Sequence, residues 1–138
     1  MDISGINDKI DLSEGQWVGN IPFPGMTGVE FHVRSANYKP FQRARDKGFR
    51  DLAMAEGDDA EDGFWTITAK AMAEHLLINW RGIVMGGKEA KFTPTLAVEL
   101  LTADDPHGIG DRFRKSVDWA SSKIAADLMT KTEKVAKN

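Results

Sequence analysis

The stretch Gly82-Ile-Val-Met-Gly-Gly87-Lys88-Glu89 comes nearest, by residue type and spacing, to a site for chemistry. It approaches the pattern G-x-x-x-x-G-K-[ST], whose glycine-rich backbone turns N–H groups toward phosphate while the hydroxyl holds magnesium. Glu89 stands where that hydroxyl belongs, so a carboxylate would meet the anion. A phosphate loop also needs a strand feeding it and a helix starting at the lysine. Here a helical pattern leads in and another turn follows, so the glycines read as positive-φ turn positions between two helices.

The other candidate groups are scattered. Histidines stand at 32, 75 and 107 with no short ligand spacing between them, and Glu74-His75 does not complete H-E-x-x-H. No serine lies in a G-x-S-x-G elbow. Glu56, Asp58, Asp59, Glu61 and Asp62 crowd one segment, but without the alternating ligands and closing glutamate of a calcium loop. Asp104-Asp105-Pro106-His107 reads as a turn initiator before a lone G-x-G, Gly108 to Gly110. With no cysteine, disulfides, thiolate zinc sites and cysteine nucleophiles are excluded. No catalytic residue, metal site or cofactor is therefore assigned, and the chain reads as a non-enzyme.

A basic run, Lys39, Arg43, Arg45, Lys47 and Arg50, is interleaved with Tyr38, Phe41 and Phe49. Such a mixture can stack on and neutralise nucleic acid. At helical spacing it reads instead as an amphipathic helix with a solvated basic face, so no nucleic-acid partner is expected. The net charge of −3 and pI near 5.6 provide no global basic field. The acidic start lacks a signal peptide's basic and apolar regions, and no apolar run reaches the ~18 residues a membrane helix needs. A soluble chain that stays where it is made, with no membrane partner, is expected.

The elements that would carry these residues come from periodicity. The 138 residues suit one domain, placed at 16–128, between a loose arm over 1–15 and a loose tail over 129–138. Trp17, Val18, Ile21 and Phe23 precede a Pro/Gly-rich gap, and Val29, Phe31 and Val33 then alternate with polar residues, which predicts a β-hairpin. Helical spacing runs over Lys39–Met54, with Gly48 costing about 1 kcal/mol relative to alanine. It recurs from Trp65 to about Ile83, through Ala69, Met72, Leu76 and Trp80. Thr93-Pro94 opens another helix as cap and first-turn proline, and Asp111 is placed to cap a last one whose stripe is Phe113, Val117, Ala120, Ile124 and Leu128. The sum is an α+β, mainly α fold: an N-terminal β-hairpin followed by about four helices.

The order of these motifs resembles the tail assembly chaperones of long-tailed, siphovirus-type bacteriophages. The resemblance rests on the helical pattern ending at Trp80-Arg81-Gly82, the Phe92-Thr93-Pro94 start, Ala97 with Leu100-Leu101, Asp105-Pro106, and the last stripe with Phe113 and Ala120. Together with the Val29 to Ala44 segment it spans about 100 residues, Val29 to Leu128. It implies a protein made in the cytoplasm of the bacterial host that keeps the tape-measure protein soluble. It also implies help in assembling tail-tube protein around that partner, and absence from the mature virion. A structural tail or connector subunit retained in the virion is the alternative. The family commonly adds a longer product by −1 frameshifting, and Ala136-Lys137-Asn138 permits the slippery spelling GCA-AAA-AAC.

The resemblance implies an apolar groove that covers stripes on the tape-measure helix, where several copies along it, as a homo-oligomer, gain avidity. Trp80, Ile83, Val84, Met85 and Phe92 are the residues placed in that groove. The competing reading packs all five between the last three helices.

Overall fold

The computed structural model describes residues 11–54, 60–104 and 108–137. Residues 1–10 of the expected arm, Glu56, Asp58 and Asp59 of the acidic run, Asp105-Pro106-His107 and Asn138 lie outside them.

Strands β1 (Gln16–Val18) and β2 (Glu30–Val33) pair antiparallel, as the alternating pattern predicts. A hairpin of this size is barely stable alone. Its inner residues Val18, Phe31 and Val33 are buried, the last two completely. The loop between the strands is held by Met26 N–H to the Phe23 carbonyl and Val29 N–H to the Met26 carbonyl, at 3.2 and 3.1 Å.

Helix α1 (Lys39–Met54) then packs against α2 (Ala60–Ala71). Gly48 makes that approach possible, since a Cβ there would collide with the Ile67 side chain. The glycine that costs helix propensity thus serves packing between helices.

The expected helix to Ile83 ends early. After α2, Met72–Leu76 form a single π-helical turn, closed by the Leu77 N–H on the Met72 carbonyl. The chain then leaves as strand β3 (Leu77–Arg81), which pairs antiparallel with β2 and makes the three-stranded sheet β1-β2-β3. Three-and-four spacing puts Leu76 and Trp80 on one helical face, whereas the strand that forms buries Leu77 and Trp80 on either side of a bulge, a pattern that regular alternation does not show. The unpaired edge of β2 decides the outcome, because β3 satisfies its backbone groups and removes the two-strand instability. Ile78 is the extra residue of a bulge opposite His32/Val33.

Beyond β3, Val84–Met85 (β4) and Lys88–Glu89 (β5) form a second, separate hairpin. Helix α3 (Pro94–Leu101) starts as expected, with Thr93 Oγ1 accepting from the Leu96 N–H at 3.0 Å. Helix α4 (Ile109–Lys137) begins two residues before Asp111. Asp111 sits in its first turn, paired to Lys115 at 3.0 Å, and is not the cap.

Phe113 on α4 meets Phe31 and Trp80 edge-on, with centroids 5.7 and 6.2 Å apart, which seats the helix on the inner face of the sheet. Arg114 donates from Nη1 to the Leu101 and Ala103 carbonyls at 2.9 and 3.2 Å, satisfying the C-terminal end of α3, and its guanidinium lies over Trp65. The fold is α+β and mainly α, with an N-terminal β-hairpin and four described α-helices.

Candidate functional site

The glycine-rich stretch that opened the sequence analysis is the tip of the β4–β5 hairpin. Gly86 and Gly87 have φ of 59° and 78°, the positive pair that a two-residue hairpin connection requires. The positive φ is as expected, but the turn joins two short strands and not two helices. Lys88 pairs with Met85 inside this ladder, and the next helix starts only at Pro94, so the loop does not lead into a helix N-terminus.

The five proposed groove residues separate into two groups. Trp80 and Ile83 are buried in the core, at 4% and 8% exposure. The Trp80 indole N–H donates to the Ala90 carbonyl at 2.7 Å, and its ring meets Phe92 edge-on at 5.0 Å. Phe92 is half-buried beside it. Ala90 N–H in turn reaches the Ile83 carbonyl at 2.7 Å, which closes the root of the hairpin. Val84 and Met85 lie outside this packing, 63% and 51% exposed. Neighbours along a strand point to opposite faces. The hairpin is therefore a finger, wet on both sides, with one apolar side chain on each.

Next to the finger's root lies a hollow of about 630 Å³ that the sequence reading missed. The β1–β2 loop forms it from Gly19 through Val29, with the buried side chains of Ile21, Met26 and Val29 in its lining. Finger and hollow touch at Gly82, whose φ is +80° and whose added Cβ would strike the Gly28 carbonyl.

Glu30 lines the hollow and sits opposite Arg81 in the β2–β3 register. A cross-strand ion pair would be the ordinary outcome. Instead the Arg81 guanidinium lies 3.7 Å above the Trp17 ring, and Trp17 stacks on His32 at 5.1 Å. Among the described residues, no cation lies within ion-pair distance of Glu30.

The other candidates are accounted for by local structure. His32 Nε2–H donates to the Glu14 carbonyl at 3.0 Å. His75 is half-buried in the π turn, 3.8 Å from Glu74. Hydrogen bonds from the Ser13 hydroxyl and N–H hold the exposed Asp11 carboxyl below its ordinary range, which stabilises a local turn. On α1, Lys39, Arg43, Lys47 and Arg50 are exposed, whereas Phe41 is buried and Phe49, like Tyr38 just before the helix, is half-buried. Lys47 is paired to Asp51 at 2.9 Å. Among the described residues no group of three acids or histidines could hold a metal ion, and no helix is long and apolar enough to cross a membrane.

The family model described as YdaY prophage protein matches residues 36–138. That span holds the finger and all four described helices, and it begins after β2, so the hollow lies outside it. No curated protein and no solved structure matches the chain.

Proposed function

The chain belongs to the YdaY prophage protein family, and from that premise we propose that it is a non-enzymatic tail assembly chaperone acting in the cytoplasm of the bacterial host. Its phage origin rests on the family match; the chaperone role rests further on the finger and on the motif order from Val29 to Leu128, in which Trp80-Arg81-Gly82 ends a strand and not the expected helix. The carrying observation is the exposure of Val84 and Met85 on a hairpin free on both faces.

Apolar side chains that the core does not use are a liability in water and an asset against an apolar partner. A tape-measure helix bares such stripes before tail-tube protein encases it. Val84 and Met85 would press into a stripe from the finger, and methionine adapts to irregular surfaces along a repetitive helix. Trp80 and Ile83 support the finger from beneath and do not themselves form a groove. Phe92, half-buried against Trp80, buttresses the root.

The test is co-expression with the longest helical reading frame downstream of this gene in its prophage. The chaperone reading expects that product to be soluble and co-purified with the native chain. It should precipitate with the variant Val84→Ser/Met85→Ser, whose own melting temperature stays unchanged. A client equally soluble without the chain would sink the reading. Mass spectrometry of purified particles separates the alternative, since a retained tail or connector subunit would be present in them. Sequencing the 3′ end of the gene checks the slippery run at Ala136 to Asn138.

A further inference from the structure

We infer that the hollow beside the finger's root binds an alkylammonium group, as carried by a lysine side chain, through the carboxylate of Glu30. This site is separate from the exposed apolar side chains of the finger. It goes beyond the chaperone reading and does not depend on it.

Glu30 is half-buried at the start of β2, and a carboxylate partly withdrawn from water ordinarily finds a partner. Among the described residues it has neither an ion pair nor a hydrogen bond to its side chain. Both flanks leave it open. On the β3 side Arg81 stands directly opposite, where cross-strand ion pairs form. Its guanidinium is held over the Trp17 ring instead, at 3.7 Å. On the β1 side the neighbour is Gly19, where an added Cβ would stand 3.4 Å from Glu30 Cγ and 4.0 Å from Oε2. Gly19 does not have a positive φ, so its backbone has no need of glycine. What the glycine supplies is room beside the carboxylate.

That room is the hollow, about 630 Å³. Ile21, Met26 and Val29 are buried in the core, so the surface offered to a ligand is mainly polar. Glu30 is the single ionisable side chain among the described residues lining it, and Asn20 and Thr27 add acceptor oxygens. Among the described residues no group of three acids or histidines could hold a metal ion, so the lone carboxylate suits one organic cation. A guanidinium stacks readily on aromatic rings, as Arg81 does on Trp17. An ammonium is compact, carries three donors and seeks oxygen, and its slender alkyl stem can enter beside Gly19. One ion pair open to water holds a ligand weakly, so a single lysine should bind with a dissociation constant on the order of millimolar.

The test is a nuclear magnetic resonance titration of the isotope-labelled full chain, followed at the amides of Gly19, Thr27 and Gly28. The probe is lysine capped as its N-acetyl, N-methylamide derivative, and the control is norleucine with the same caps, which lacks the ammonium. Saturable shifts are expected with lysine and none with norleucine. Glu30→Gln removes the charge, and Gly19→Leu fills the space while leaving the charge in place. Each should weaken binding about tenfold or more, with amide signals away from the loop unchanged. Free butylamine separates the sources of the group: exclusion of butylamine with binding of capped lysine assigns a chain-borne lysine, the reverse assigns a small free amine, and both uphold the ammonium site. No saturable shift with either amine, an equal response to norleucine, or either variant binding as the native chain does would each overturn it. None of these readouts involves the finger or the tape-measure protein, so the ammonium site and the chaperone reading fail separately.

Discussion

Two buried side chains show how much one hydrogen bond can decide. Ser121 on α4 is fully buried, and its hydroxyl has no hydrogen-bond partner among the described residues. Its backbone carbonyl, by contrast, accepts from the Ala36 N–H at 3.1 Å. Burying an unpaired hydroxyl costs about 1–3 kcal/mol. Ser121→Ala keeps the shape nearly unchanged and should raise stability by about 1 kcal/mol in a urea titration. Trp80 is the opposite case, since its indole N–H is paired to the Ala90 carbonyl. Trp80→Phe removes that donor and leaves the carbonyl to be satisfied otherwise, at about 1–3 kcal/mol. Trp80→Ala adds a cavity and should cost about 3–5 kcal/mol. Loss of client binding by that variant would then follow from unfolding, which near-UV circular dichroism would reveal.

The finger and the third helix show how single positions govern whole elements. Gly82 and Gly87 both hold positive φ, but a Cβ at Gly87 meets open space whereas one at Gly82 strikes backbone. Gly87→Ala should therefore cost only the left-handed penalty of roughly 1–2 kcal/mol. Gly82→Ala adds a steric collision and should cost more, with the finger's root and the hollow's rim displaced together. Amide hydrogen exchange at Ala90, whose N–H closes the root, would report both. At the start of α3, Thr93→Ala removes the acceptor for the Leu96 N–H and should lower stability by about 1 kcal/mol by thermal melting. The start of α3 and the positive-φ glycines were legible in advance because their signals are local, whereas the two strands that the glycines join were not. A cap, a first-turn proline and a glycine pair each act within four residues.

Across the whole molecule, the sheet joins chain segments far apart in sequence. Glu30 pairs with Arg81, Phe31 with Trp80, and Phe31 also meets Phe113 on α4. Helix α4 thus closes on a surface that exists only once β3 has joined β2. Unfolding should therefore be one cooperative transition. Tryptophan fluorescence, dominated by burial changes at residues such as Trp80, should give the same midpoint as far-ultraviolet circular dichroism. Two separated midpoints would mean that the α1–α2 pair and the sheet hold themselves independently.

Local periodicity was enough for α1, α3 and the stripe of α4, because each buries one face at fixed spacing whatever its neighbours are. The phage reading came from a resemblance to a known family and not from periodicity, and the match to residues 36–138 shows the YdaY prophage family. Leu76 to Trp80 could not be settled by periodicity, since Leu76 and Trp80 fit a helical stripe while the bulge that lets the strand bury Leu77 with Trp80 hides its alternation. The open edge of β2 settled it, and that edge lies more than forty residues upstream. The hollow and the unpaired Glu30 were equally invisible from the chain alone. The hollow depends on how the β1–β2 loop folds back on itself, and Glu30 is left unpaired because Arg81, opposite it on β3, turns to Trp17. Helical stripes are properties of neighbours in sequence; a strand's partner, and the charge left over when that partner turns away, are properties of neighbours in space.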